Sequence, residues 1–103
     1  MNWHFSDGWT LADFAESLAL SDSAELSAEQ KRPFVAFSCS AASKALTLGL
    51  EDGDCMIVAN IGGSNAVTVK AISGDSGTSV AAGKVAIVIA SSTANASKIY
   101  VLN

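Results

Sequence analysis

Hydrophobic residues follow two different periods on the two sides of Pro33. On the N-terminal side, apolar side chains recur at the spacing i, i+3, i+4, i+7, which places them on one face of a helix. The residues with this spacing are Leu11, Phe14, Ala15 and Leu18. The pattern therefore predicts an N-terminal helix that presents an apolar stripe to a partner surface.

Capping residues predict where helical structure begins and ends in this segment. Thr10 is a suitable N-cap for the first helix, because its hydroxyl can accept a hydrogen bond from the first turn. Ser27 and Gln30 have the spacing of a capping box, which predicts a second helical turn over residues 24–32. Pro33 cannot continue that turn, so the helical segment is expected to end there.

Beyond Pro33 the hydrophobic period changes to two, the period of a β-strand. Glycine-rich and acidic turn signals separate the apolar stretches. Strands are predicted at residues 34–40, 44–48, 55–61, 66–72, 85–90 and 98–102, with residues 78–81 as a short seventh candidate. Because no helical intervals separate these strands, a parallel βαβ sheet is disfavoured. The pattern favours an antiparallel β-sandwich of jelly-roll or immunoglobulin-like topology, or a small barrel. We thus expect an N-terminal helical arm (residues 1–33) and a β-sandwich domain (residues 34–103).

Two of the predicted strands, residues 55–59 and 85–90, are apolar at nearly every position rather than at alternate ones. Strands of this kind occur where both faces of a sheet are covered. The N-terminal arm is one candidate for the second cover, and a neighbouring subunit is the other.

Charge is divided as unevenly as hydrophobicity. Residues 1–30 hold six acids and no Lys or Arg, whereas residues 31–103 hold four acids and six Lys or Arg residues, for a net charge of −4. The acidic balance and the dispersed bases disfavour nucleic acid as a partner. No apolar run has the length of a membrane span, so no membrane partner is expected. Because the first Lys or Arg is Lys31, a classical signal peptide is disfavoured.

The residues that could carry chemistry are better explained by packing or by turns. His4 is the only histidine and stands near one end of the chain, so a nucleophilic triad would depend on this one residue, and a surface or packing histidine is the favoured interpretation. The motif GDSG at residues 74–77 and the carboxylates at residues 51–54 are typical of turns, and the latter lack the ligand spacing of a calcium loop. Cys39 and Cys55 are expected to be free thiols, and a disulfide between them stays open if their strands are adjacent. We therefore predict no enzyme activity, catalytic residue, metal or cofactor.

Aromatic residues are concentrated at the start of the chain, where four of the seven occur within 14 positions. Large aromatic side chains often anchor protein interfaces. The residues predicted to bind a partner are Trp3, Phe5, Trp9, Leu11, Phe14 and Leu18. The sequence leaves two alternatives open: this arm packs on the sheet of its own subunit, or it anchors in the groove of a neighbour.

Residues 51–89 carry a family resemblance. A Gly53-Asp54 turn leads into an apolar strand ending in Asn60, followed by a Gly/Ser turn and the strand VTVK at residues 67–70. A loop and the hairpin VAAGK at residues 80–84 complete the pattern. In this order the elements resemble small virion proteins of tailed bacteriophages of the capsid decoration, or cement, type.

The resemblance implies a β-sandwich that binds the major capsid protein and stabilises the shell by bridging its subunits. It also implies a homo-oligomer, dimer or trimer, located on the capsid surface of the virion after assembly in the host cytoplasm. The alternative is a receptor- or carbohydrate-binding β-sandwich module of a phage fibre or cell-surface protein. For that role the β region offers three aromatic side chains, Phe34, Phe37 and Tyr100.

Overall fold

Two mixed β-sheets form the part of the chain that this computed structural model describes, residues 15–93 and 95–102. In the first sheet, sheet A, the strands lie in the order β1-β3-β5-β8-β9, and in the second, sheet B, in the order β2-β4-β6-β7. The strands are β1 (Ala15–Leu20), β2 (Ala24–Glu25), β3 (Phe34–Cys39), β4 (Lys44–Thr47), β5 (Cys55–Asn60), β6 (Val67–Lys70), β7 (Thr78–Val80), β8 (Val85–Ile89) and β9 (Lys98–Leu102).

The chain crosses from one sheet to the other after each of its first five strands. As a result β1, β3 and β5 are parallel neighbours in sheet A, and β2, β4 and β6 are parallel neighbours in sheet B. Parallel neighbours need a crossover of about a dozen residues or more, and here a strand of the opposite sheet provides it instead of a helix. Among the strands of the described residues, only the pairs β5–β8, β6–β7 and β8–β9 are antiparallel. The expectation of an antiparallel sandwich is therefore not confirmed, although the mainly β class is.

The prediction of a helix through Ala15 and Leu18 is wrong. Residues Ala15–Leu20 form strand β1, which pairs in parallel with β3 from Ala15 opposite Phe34 to Leu20 opposite Cys39. Leu18 and Leu20 are two positions apart and both pack against the core. A strand at the sheet edge buries both of these leucines, and that tertiary gain outweighs the helical spacing. Thr10, Leu11 and Phe14, which completed the helical pattern, lie outside the described residues.

The second helical turn is shorter than predicted. Residues 24–25 form strand β2, and only a single 3₁₀ turn, Ala28–Gln30, follows it. The side-chain oxygen of Gln30 accepts a hydrogen bond from the backbone N–H of Ser27 at 2.9 Å, as the capping-box spacing predicts. All seven strands predicted after Pro33 are confirmed, including the short one at residues 78–80.

The core lies between the two sheets. Alternate residues of each strand point into it, and those at its centre are wholly buried. Sheet A contributes Val35, Phe37, Met56, Val58, Ala86 and Val88, and sheet B contributes Leu46, Val67, Val69 and Val80. Most of these side chains are small or β-branched, so the two sheets share a thin aliphatic core with Phe37 as its one aromatic residue within the described part of the chain.

One buried amide, that of Asn60, holds the end of β5 to the surrounding loops. Its Nδ2 donates hydrogen bonds to the backbone oxygens of Asn65 and Val80, both at 2.9 Å. Its Oδ1 accepts a hydrogen bond from the N–H of Gly62 at 3.0 Å. Because Val80 belongs to sheet B, this side chain links the two sheets, and its burial is compatible with folding because both ends of the amide are satisfied.

Replacing Asn60 by Asp tests this link with almost no change of shape. Asn60→Asp keeps the acceptor for Gly62 but turns a buried carboxylate oxygen towards two carbonyl oxygens. We expect the free energy of unfolding, measured with urea, to fall by about 3 kcal/mol or more. A loss below about 1 kcal/mol would show that the amide network does not hold the sheets together.

A close approach of the backbone explains one glycine. Gly77 has φ +80°, and a Cβ at this position would lie 2.7 Å from the backbone oxygen of Val69 and 2.8 Å from side-chain carbons of Thr68 and Lys70. Gly53 has nearly the same φ, +84°, but no atom within 4 Å of the position its Cβ would take. A comparison of Gly77 with Gly53 therefore separates the effect of the positive φ on stability from the effect of steric crowding.

We expect Gly77→Ala to destabilise the protein more than Gly53→Ala. The strained φ alone costs about 1–2 kcal/mol in both variants. Crowding against β6 should add about 1–3 kcal/mol at Gly77 only. Equal losses for the two variants, measured by urea unfolding, would contradict the close approach of Gly77 to β6.

Candidate functional site

The outer face of sheet A, the one turned away from the core, is apolar. The register of β3, β5, β8 and β9 aligns its side chains in rows, and one row runs Phe34, Ile57, Ile87 and Tyr100 across the four strands. The next row contains Ala36, Ala59, Val85 and Leu102. The outer face of sheet A comprises those eight residues together with Ser38, Cys55, Ile89 and Lys98.

Large apolar side chains on this face remain in contact with solvent in the described structure. The exposed fractions are 36% for Ile57, 42% for Ile89, 47% for Leu102 and 54% for Tyr100. Lys98, at one edge, is the only charged residue that β3, β5, β8 and β9 place on this face. A contiguous exposed apolar surface of this kind is typical of an interaction site.

The outer face of sheet B is different in character. Its positions on β4, β6 and β7 are Ala45, Thr47, Thr68, Lys70 and Ser79, which the register brings side by side. Four of these five are polar or charged, as expected for a sheet with one face on the core and the other in water. The two sheets therefore have one apolar and one polar outer face, and only the apolar face requires a further explanation.

Most of the bulky side chains of the outer face of sheet A lie towards one end. Phe34, Ile57, Ile87 and Tyr100 are level with Ala15, the residue at which β1 begins. Cys55 and Ile89, paired with each other, lie further towards that same end. Towards the opposite end, β3 and β5 carry the small residues Ser38, Ala36 and Ala59, and β8 and β9 carry Val85 and Leu102. The larger number of bulky side chains is thus at the end of the sheet where β1 begins.

Both cysteines are free, as the sequence predicts. Cys39 is buried at the end of β3 and faces the core, whereas Cys55 is exposed at the start of β5 on the outer face. Because β3 and β5 are parallel, the two thiols lie at opposite ends of neighbouring strands and on opposite faces. This placement excludes a disulfide between them without a change in the fold.

The carboxylates at residues 51–54 form a hydrogen-bonded turn. The Asp54 N–H donates to the Glu51 carbonyl at 3.0 Å, and Asp54 Oδ2 accepts from the Glu51 N–H at 3.1 Å. Asp52 Oδ1 accepts from the N–H of Ser92 at 2.9 Å. Within residues 15–93 and 95–102, no three His, Cys, Asp or Glu side chains form a group that could hold a metal ion. The geometry is that of a turn.

The GDSG motif also has a structural role. Asp75 is buried, and its Oδ1 accepts a hydrogen bond from the N–H of Asn95 at 3.1 Å. In return Asn95 Oδ1 accepts from the N–H of Ser76 at 2.7 Å. These bonds fasten the loop between β6 and β7 to the loop between β8 and β9, and they involve the Ser76 backbone rather than a nucleophilic hydroxyl.

Five of the six residues predicted to bind a partner, Trp3, Phe5, Trp9, Leu11 and Phe14, lie outside the described residues, as does His4. Leu18 lies on β1, half-buried against the inter-sheet core. The outer face of sheet A was not among the predicted site residues. Its signal was nevertheless present in the sequence, in the strands at residues 55–59 and 85–90 that are apolar on both faces.

Comparison of the chain with protein-family models, with curated protein sequences and with solved structures gives no match. The interpretation of the site therefore depends on its geometry. In the described part of the chain, no helix has the length and apolar character needed to cross a membrane.

One surface ion pair fastens the turn between β1 and β2 to β4. Asp22 Oδ1 lies 3.1 Å from Lys44 Nζ and also accepts a hydrogen bond from the N–H of Ser23 at 2.8 Å. The Ser23 bond first, and then Lys44, lower the pKa of the Asp22 carboxyl below its ordinary value of 3.8. The Ser23 hydroxyl in turn accepts a hydrogen bond from the N–H of Ala45.

A lowered pKa in the folded state means that the ionised Asp22 stabilises the fold above the unfolded-state pKa and ceases to do so as the pH falls through the folded-state pKa. Asp22→Asn keeps the acceptor for Ser23 but removes the charge. We expect the variant to be slightly less stable than the parent at pH 7, with the difference shrinking as the pH falls below about 4. Urea unfolding at several pH values measures this, and a difference independent of pH would contradict it.

Proposed function

We propose that this chain is a structural virion protein of the capsid decoration type, which attaches to the capsid shell through the outer face of sheet A. The observation that supports attachment is the apolar outer face itself, with four large side chains at least a third exposed and a single charge. Attachment by such a face needs burial of apolar area and no chemical step.

The energetics of this face suit a bridging role. Full burial of one large apolar side chain contributes about 1.5–3 kcal/mol. Several such side chains together give each contact with the shell a favourable binding free energy. Because the same contact is repeated at symmetry-related positions of the shell, avidity adds to it. A protein that binds two shell subunits, or that binds as a dimer or trimer, would then resist the separation of those subunits.

The family resemblance and the apolar outer face of sheet A involve the same strands. Residues 51–89, which resemble the decoration proteins, include β5 and β8. These two strands supply the five outer-face side chains Cys55, Ile57, Val85, Ile87 and Ile89. The proposal includes the major capsid protein as partner, a homo-oligomeric state and a place on the capsid surface. It involves no nucleic acid, membrane, cofactor or enzymatic step.

The alternative is a receptor- or carbohydrate-binding module, and one observation favours it. Tyr100 is 54% exposed and shares the outer face with Phe34, so two aromatic rings stand in one row. Phe37, the third aromatic candidate, is fully buried in the core and is not available to a ligand. The aliphatic residues Ile57 and Ile87 separate the two rings, which suits a protein surface better than a sugar platform.

A matched pair of substitutions tests the proposed attachment. Ile57→Glu places a charge on the apolar outer face of sheet A, and Ser79→Glu places the same charge on the polar outer face of sheet B. Binding is measured by co-sedimentation with shells assembled from the major capsid protein encoded with this chain. We expect Ile57→Glu to weaken binding at least about tenfold, because a carboxylate would be desolvated there, and Ser79→Glu to leave it within about twofold.

Circular dichroism confirms that both variants keep the fold before binding is compared. The proposal fails if the parent chain does not sediment with the shells, or if Ile57→Glu binds as well as the parent. Binding of the parent to a glycan array, lost in Tyr100→Ser, would favour the recognition module instead.

A further inference from the structure

One edge of sheet A is strand β9, Lys98–Leu102, which pairs with β8 and with no other strand of the described residues. We infer that two copies of the chain pair along this edge, β9 antiparallel to β9, about a two-fold axis at Tyr100. The inference rests on the proposed function in one respect: it specifies the homo-oligomer of that proposal as a dimer and gives its interface.

Hydrogen bonds between β5 and β8 show which way the backbone groups of β8 point. The N–H of Ala90 donates to the carbonyl of Asp54 at 2.8 Å, and the carbonyl of Lys84 accepts from the N–H of Asn60 at 2.9 Å. Both of these β8-side positions are even-numbered. Because the direction of these groups alternates along an antiparallel strand, the even-numbered positions of β8 bond to β5 and the odd-numbered positions bond to β9.

The outward backbone groups of β9 follow from this alternation. The odd-numbered positions of β8 are opposite residues 98, 100 and 102 of β9. The N–H and C=O groups of Ile99 and Val101 therefore point away from the sheet, and no backbone group of the described residues pairs with them. A row of unpaired groups along a strand edge is a template for another strand.

Little in the described structure protects this edge. The edge strands of sheet B, β2 and β7, are only two and three residues long, which limits the pairing that they can offer. Strand β9 has five residues, contains no proline, and pairs with β8 without a bulge. Its one charged residue, Lys98, is at its start. Long, regular and apolar edges of this kind pair with other chains.

The backbone groups select one register for two copies. With the two-fold axis at Tyr100, Ile99 of each copy is opposite Val101 of the other, and the members of each such pair exchange two N–H···O bonds. Every outward group of Ile99 and Val101 is then satisfied. Any other two-fold register that aligns outward groups places one of these two residues opposite a residue outside β9. The strand is therefore complementary to itself, as a two-fold interface requires.

Side chains fit the same register. On the inner face, Ile99 and Val101 are half-buried against the core, and cross-strand pairs between them would extend that core into the second copy. On the outer face, Tyr100 meets Tyr100 of the second copy as an aromatic pair. Lys98 lies opposite Leu102 of the second copy, so the Cα atoms of the two Lys98 residues are roughly 14 Å apart and their charges do not oppose each other directly.

Edge pairing would leave the attachment surface open. The two five-stranded sheets would form one ten-stranded sheet, and the outer face of sheet A in each copy would lie on the same side of it. Because the pairing uses β9 of both copies, assembly stops at the dimer. Such a dimer presents two apolar faces side by side, which is the arrangement that bridging of two shell subunits needs.

Cysteine cross-linking tests the register. In full-length Cys55→Ser protein, whose remaining Cys39 is buried, Tyr100→Cys would place two thiols in a non-hydrogen-bonded pair. The Cα atoms of such a pair are about 4.5 Å apart, which suits a disulfide. Leu102→Cys is the matched control, because Leu102 is on the same face and similarly exposed, 47% against 54%, but lies roughly 14 Å from its counterpart.

We expect Tyr100→Cys to form a covalent dimer under mild oxidation at least about tenfold faster than Leu102→Cys. Equal rates, or a faster rate for Leu102→Cys, would overturn the inference, because either result means a different register or random collision. Failure of both variants to cross-link would overturn it as well.

A proline tests the outward hydrogen bonds. Val101→Pro removes an N–H that points away from the sheet, so the monomer loses no bond to β8, and circular dichroism checks that the fold is kept. Val101→Ala removes more of the side chain but keeps the N–H. An edge interface is small, so we expect the parent to reach twice its 10.5 kDa mass by light scattering at concentrations of about 10–100 μM.

We expect Val101→Pro to weaken dimerisation at least about tenfold relative to Val101→Ala. A parent that stays monomeric over this range of concentration, or a Val101→Pro variant that dimerises as well as Val101→Ala, would overturn the inference. Because these measurements use the free protein without shells, the dimer can fail while shell binding succeeds, and shell binding can fail while the dimer forms.

Discussion

The architecture depends on an imbalance between the two sheets: sheet A is apolar on both faces, and sheet B is apolar on one. The inner faces cover each other and form the core around Phe37 and Val58. The outer face of sheet B meets water with Thr68, Lys70 and Ser79. Within the part of the chain that the structure describes, Ile57 and Tyr100 on the outer face of sheet A stay exposed to solvent, and burial of these side chains is the free energy that the proposed attachment would use.

The order of the strands explains why the apolar surface is continuous. Because the chain alternates between the sheets, β5 lies at the centre of sheet A, between β3, which precedes it by two strands, and the antiparallel β8. The two strands that are apolar on both faces are therefore neighbours. Their outward residues face the same side in direct register, Ile57 opposite Ile87 and Cys55 opposite Ile89. A patch forms that neither strand would create alone.

The sequence was a good guide to the elements after Pro33 and a poor guide to their arrangement. Period-two alternation and glycine-rich turns are local signals, so all seven strands could be placed from residues alone. Parallel pairing is not local: it follows from the crossing between sheets, which no short-range pattern reports. Residues 15–20 show the conflict most clearly, since Leu18 satisfies both a helical spacing and, with Leu20, the alternation of a strand. Pairing with β3 at the edge of sheet A favours the strand over the helix.

The candidate site was predictable in part. The sequence indicated that strands at residues 55–59 and 85–90 need cover on a second side, and it indicated the aromatic segment that could provide it. It could not show that Tyr100 and Phe34 join the same row, because this depends on the register of four strands. Asn60 was likewise not recognisable as a link between the sheets, since its partners Asn65 and Val80 come from separate loops and strands.

The most direct measurement of the central claim is oxidative footprinting of the shell-bound protein, read residue by residue by mass spectrometry. We expect Tyr100 and Leu102 on the outer face of sheet A to be strongly protected from oxidation in the shell-bound protein. Lys70 and Thr68 on sheet B should keep the reactivity that they have in the free protein. Protection of the sheet B residues with free reactivity at Tyr100 would contradict it.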